Sequence, residues 1–176
     1  MSISRRTLIL GAGATGLVLA GGVWRVTRLP EAAIKPWMTD GPPPADMRLA
    51  AFRHAILAPN PHNRQPWMIR LVGPDEAEIS CDLAKRLPET DPFDRQITIG
   101  FGTFLETARI AAAERGVRME MMPLPLGEPQ PRLDGRPVAR VRFIKDASTA
   151  RDPLFAAIGQ RHTNRLVYDP TRPVAE

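Results

Sequence analysis

Leu49, Phe52 and Ile56 recur at helical spacing with Arg48 and Arg53 on other faces, so Asp46 to Leu57 is expected as a helix. It must end before Pro59, because the residue ahead of a proline is pushed out of the helical region. Trp67 to Val72 reads as a strand, Gly73-Pro74-Asp75 as a turn, and Glu78 to Leu83 as the partner strand of a hairpin. From Ile97 to Arg115 a broad apolar face of Phe101, Phe104, Leu105, Ala108, Ile110, Ala111 and Ala112 predicts the core helix, with Gly116 as its stop. Asp91 to Gln96 leads into it as a turn. Val117 to Met122 and Val138 to Ile144 read as strands around a Pro/Gly-rich excursion from Pro123 to Pro137, and Asp152 to Gly159 as a short helix.

Between the first helix and the first strand lies Ala-Pro-Asn-Pro-His-Asn-Arg-Gln-Pro-Trp, from Ala58 to Trp67. Pro59, Pro61 and Pro66 fix φ and remove backbone donors, which excludes a helix interior or a central strand. This is therefore an ordered loop carrying the side-chain donors and acceptors of Asn60, His62, Asn63, Arg64 and Gln65. Trp67 can bury its ring to hold the loop's exit. A rigid polar loop of this kind suits a planar heteroaromatic ligand. Gly100 and Gly102 permit a close backbone approach at the start of the core helix, for which packing against another element is the preferred explanation.

The chain of 176 residues, 43% apolar, is long enough for one ordinary domain with a sizeable core. Its net charge of +5 invites a nucleic-acid reading, but Arg5, Arg6, Arg25 and Arg28 lie in the first 28 residues, where no acid balances them. Setting those four charges against +5 leaves +1 for the body, too little for a phosphate-backbone face, so nucleic acid is excluded. The single cysteine, Cys81, excludes an internal disulfide or a multi-cysteine metal site, and reads as a packed strand residue. His54, His62 and His162 are too scattered for a metal triad, so no metal ligands are assigned.

Paired Arg5-Arg6 precede an uncharged, glycine-diluted run from Thr7 to Trp24, which resembles a twin-arginine export signal over residues 1–28. The expectation is export to the periplasm by that pathway, with the segment either cleaved or kept as an N-terminal membrane anchor. The same run holds Gly11-Ala12-Gly13-Ala14-Thr15-Gly16, a G-x-G-x-x-G pattern with Glu31 near the place of a ribose-binding acid. The intervening Arg25-Val26-Thr27-Arg28-Leu29-Pro30 is poorly suited to a buried parallel strand, which disfavours a dinucleotide turn. Residues 29–45 read as a stiff Pro-rich linker.

A second polar cluster, Arg161-His162-Thr163-Asn164-Arg165, follows the short helix. Two guanidinium groups and a hydroxyl can grip a phosphate; a solvated basic turn is the alternative.

Together the two clusters resemble the nitroreductase family of FMN enzymes, and more closely its Acg-type branch, in which two nitroreductase-like halves share one chain. Ala58-Pro59-Asn60 with Asn63-x-Gln65-Pro66-Trp67 is similar to the family's Ala-Pro-Ser-x-x-Asn-x-Gln-Pro-Trp loop, with Asn60 in place of the usual serine. Arg161-x-Thr163-x-Arg165 is similar to its phosphate-binding Arg-x-Ser-x-Arg element, and Gly100 to Gly116 to its interface helix. The resemblance implies an α+β fold, a nitroreductase-like sheet with flanking helices. It divides the chain into a first half over 46–160 and the start of an incomplete second half over 161–176. It also implies FMN as cofactor, with Pro59, Asn60, Asn63 and Gln65 flanking the ring and Arg161, Thr163 and Arg165 holding the phosphate side. No side chain is assigned as a catalytic acid or base. The implied reaction passes hydride from NAD(P)H through flavin to a nitroaromatic or quinone-type acceptor, in a homodimer or with a missing second half as partner. The alternatives are an FMN-binding or storage protein without reductase activity, and a partner-dependent truncated fragment.

Overall fold

The computed structural model describes residues 41–164 continuously, together with residues 18, 21–28, 35, 166, 167 and 171. Two compact units divide the chain, Met1–Met38 and Thr39–Glu176. In the first, residues 21–27 are helical, and Arg28 places its guanidinium over the Trp24 ring at 5.0 Å. The arginine pair and the Gly11 to Gly16 pattern lie outside the described residues. Among the described residues no helix is long and apolar enough to cross a membrane.

The second unit is an α+β fold, the class the resemblance implies. Helix α1 (Met47–Ala55) is followed by the proline loop, the hairpin β1 (Trp67–Val72) and β2 (Glu76–Cys81), and helix α2 (Arg95–Ala113). Strands β3 (Val117–Pro123) and β4 (Pro137–Lys145) complete an antiparallel sheet in the order β1-β2-β4-β3. Gly116 stops α2 as expected, in the left-handed region at φ 64°. The second strand ends at Cys81, two residues earlier than the pattern predicts, because Asp82 turns its carboxylate onto Ala84 N and caps a 3-10 turn, Leu83–Lys85. The short helix expected from Asp152 to Gly159 is a 3-10 turn, Pro153–Ala157, capped by Asp152.

Strand positions that face the helices, among them Ile79, Cys81, Ala139, Val141 and Phe143, share one core with Ala51, Phe52, Phe101 and Phe104. Aromatic rings link the layers. Phe52 stacks on Phe104 at 5.7 Å and meets Phe143 edge-on at 5.5 Å, while Trp67 stacks on Phe104 at 4.7 Å. Trp67 thus anchors the loop's exit, as its sequence position suggests. On the other face of the sheet, Glu78 is buried between Arg70 and Arg140 and bonded to both.

Helix α1 turns a different face inward than its pattern predicts. Leu49 is 44% exposed, whereas Arg48 is only 6% exposed. The small side chains of Ala51 and Ala55 flank Phe52 on the packed face, and Arg48 is satisfied there. It donates to the Asp46 carboxylate at 2.6 Å and to the carbonyls of Gly73 and Glu76 at 2.8 and 3.0 Å. A buried guanidinium with this many acceptors carries little unmet desolvation cost.

Candidate functional site

The loop after α1 is shaped by its own side chains. Asn60 is extended, and His62, Asn63 and Gln65 all adopt positive φ, at 50°, 51° and 47°. Asparagine tolerates that region, but histidine and glutamine are held there at a cost of about 1 kcal/mol or more each. The loop's amides hold them. Asn60 Oδ1 accepts from Gln65 N at 2.8 Å, and Asn63 Oδ1 accepts from Asn60 Nδ2 at 3.4 Å and from Gln65 Nε2 at 3.3 Å. Asn60 therefore works as the loop's internal brace. The bonds within the loop use neither the amide nitrogen of Asn63 nor the amide oxygen of Gln65.

Two other segments clamp the loop, the turn at Ala84 and Lys85 and helix α2. Arg64 donates to Lys85 O at 3.0 Å and Ala84 O at 3.3 Å, and Lys85 returns a bond to Gln65 O at 3.1 Å. Thr103 of α2 donates to Pro59 O at 2.7 Å. Gly100 explains how the loop can lie so close to α2: a Cβ there would sit 3.2 Å from Pro61 Cδ and 3.4 Å from Asn60 Cβ. Packing is thus the role of Gly100, whereas a Cβ on Gly102 would meet nothing within 4 Å.

Gly102 instead opens onto a groove. Pro59, Ile99, Gly102, Thr103, Glu106 and Thr107 line about 590 Å³ of largely apolar space beside the loop. Arg109 pairs with Glu106 at 2.6 Å and holds that carboxyl below its ordinary range, mainly through this hydrogen bond. Of these residues only Pro59 and Gly102 are singled out by the sequence pattern. Thr103 and Ile99 could have been found as the positions one helical turn from Gly100 and Gly102 on a face that the core does not use.

The second cluster reaches the same region through one residue. Arg109 also binds Asp152 at 3.1 Å, Phe155 packs on His54 at 5.1 Å, and Ile158 joins Leu57 and Ile110 in a small apolar cluster. These contacts bring Arg161 to the end of the helical segment that feeds the loop, where it donates to Leu57 O at 3.0 Å. Thr163 is exposed. Arg165 lies outside the described residues.

Cys81 is packed in the core at 2% exposure, and burial pushes its thiol up to about 11. It takes no part in the groove. Among the described residues no group of three or more His, Cys, Asp or Glu side chains gathers as a metal set.

The chain has relatives by sequence. Two proteins of Mycobacterium tuberculosis, from strains CDC 1551 / Oshkosh and ATCC 25618 / H37Rv, are each 29% identical to this chain over 126 residues, or 72% of it. Both bear the name "Putative NAD(P)H nitroreductase", and the chain spans 35% of their length. No protein-family model matches the chain.

Proposed function

We propose that this chain is the FMN-binding part of a nitroreductase-like, NAD(P)H-dependent oxidoreductase. The observation that carries the reading is the meeting of a braced amide loop with an apolar groove on α2. The groove's volume suits a three-ring heterocycle. The loop that contributes Pro59 to this groove also carries the amide nitrogen of Asn63 and the amide oxygen of Gln65, a donor and an acceptor two residues apart that the loop's own bonds leave unused. That pairing matches the alternating carbonyl and N–H edge of a flavin's pyrimidine ring. The residues present therefore fit the group.

In this reading Pro59, Asn63 and Gln65 flank the ring, and Asn60 fixes the loop that presents them. Arg161, Thr163 and Arg165 hold the phosphate side. Bound FMN would take hydride from NAD(P)H and deliver it to a nitroaromatic or quinone-type acceptor. The chain's part is to bind and orient; Glu106, whose ionised form Arg109 favours, forms with it an ion pair on the groove's rim. A cofactor inserted before export also accounts for a twin-arginine signal, which carries proteins already folded, so the proposed location is the periplasm.

The test is flavin itself. Purified protein should be yellow, and anaerobic NAD(P)H should bleach it. Yellow protein that does not bleach supports binding without turnover. Colourless protein whose FMN affinity is unchanged by Asn63→Ala, Gln65→Ala and the Arg161→Ala/Arg165→Ala pair rules the reading out.

A further inference from the structure

Between the first turns of α2 and the excursion joining β3 to β4 lies a second cavity, of about 480 Å³. Its wall is pinned from behind. Leu133 N donates to the buried carboxylate of Asp94 at 3.2 Å, and Leu133 O accepts from Arg86 at 3.1 Å. Phe93, Ile99, Leu124 and Pro131 give it apolar lining.

Two features of that lining stand apart from the rest of the molecule. Of the chain's six phenylalanines, five pack against another aromatic ring; Phe93 does not, and is 62% exposed. Among the arginines of the described stretch 41–164, all but Arg95, Arg115 and Arg132 have a side-chain hydrogen bond or ion pair, and Arg95 and Arg132 both line this cavity. An aromatic face without a partner and two guanidinium forks without acceptors converge on one concave site. Glu128 shares the rim and opposes them.

We propose that this cavity binds a small aryl carboxylate, its ring against Phe93 and Ile99 and its carboxylate on Arg95 and Arg132. A planar carboxylate accepts two parallel N–H bonds from a guanidinium fork, and an aromatic body supplies the apolar contact that a bare anion lacks. With Glu128 present the free groups on the rim sum to a single positive charge, which matches one carboxylate. Ile99 lines both this cavity and the groove on α2 at 67% exposure, so the ligand lies next to the proposed flavin seat. The inference stands without flavin, because it rests on the cavity's own residues.

Calorimetric titration of the full chain with 2-naphthoate and with its neutral isostere 2-naphthamide tests it, with flavin content read separately by visible absorption. The carboxylate should bind about tenfold tighter than the amide, as two charge-assisted contacts require. Arg95→Gln with Arg132→Gln should abolish that preference, and Glu128→Gln should raise it by about two- to threefold, the scale of an exposed charge pair. Phe93→Ala should weaken both probes alike. These positions are exposed, so circular dichroism and the unfolding midpoint should be unchanged. Equal affinity for the two probes, no binding of either, or a preference that survives loss of both arginines overturns the proposal, whatever the flavin content.

Discussion

Arg161 Nη2 donates to the carbonyl oxygen of Leu57 at 3.0 Å, tying the second polar cluster to the residue just ahead of the first across 104 positions. The carbonyl belongs to the turn that closes α1, where a cation is favoured by the helix dipole. The guanidinium therefore has a structural role as well as the proposed phosphate role, and the two can be separated. Arg161→Ala should lower the stability of flavin-free protein by about 1–2 kcal/mol, the scale of one charge-assisted hydrogen bond. Arg161→Lys should restore part of that stability while leaving FMN affinity low, because a lysine lacks the fork. Urea unfolding and FMN titration of the two variants check this; equal FMN affinity in wild type and Arg161→Lys would remove the fork from the proposed site.

The two glycines at the head of α2 should respond in opposite ways. At Gly100 an added Cβ meets the loop at 3.2 and 3.4 Å, so Gly100→Ala should displace Pro61 and Asn60 and weaken FMN binding. At Gly102 the space is open, and Gly102→Ala should stabilise the protein by about 0.5–1 kcal/mol through helix propensity alone. Thermal unfolding reads the second effect. A Gly100→Ala variant with unaltered flavin affinity would detach the loop's placement from binding.

Asp46 and Arg48 should make the fold acid-sensitive. The side-chain hydrogen bond from Arg48 is the chief cause that draws the Asp46 carboxyl down from 3.8 to about 2. A depressed carboxyl contributes stability that is present above its unfolded value and lost as protons bind. The contribution should therefore be complete above about pH 4 and fade as pH falls towards 2. Asp46→Asn keeps a side chain able to cap α1 but leaves the buried Arg48 without its carboxylate, at an expected cost of about 2–4 kcal/mol near neutral pH. The gap between variant and wild type should narrow across that acid window in urea unfolding. A gap independent of pH would place the cost in the cap.

The sequence by itself determined the features that depend on neighbours in the chain. The helical spacing at α2, the four strands, the stop at Gly116 and the proline-fixed loop all follow from local sterics and periodicity, which need no tertiary partner. The packed Cys81 and the anchoring Trp67 were legible for the same reason: each sits at an apolar position of a strand. The tertiary structure decided which face α1 buries and which polar groups meet. Leu49 points outward and Arg48 inward because the carbonyls of Gly73 and Glu76 lie where the guanidinium can reach them, an arrangement set by the hairpin. Asn60 proved a brace within its loop, and Arg161 came to rest on Leu57 O through contacts made by Asp152, Phe155 and Ile158. A polar side chain spends its hydrogen bonds on whatever groups the fold brings within about 3 Å, and that company is fixed by packing between distant elements.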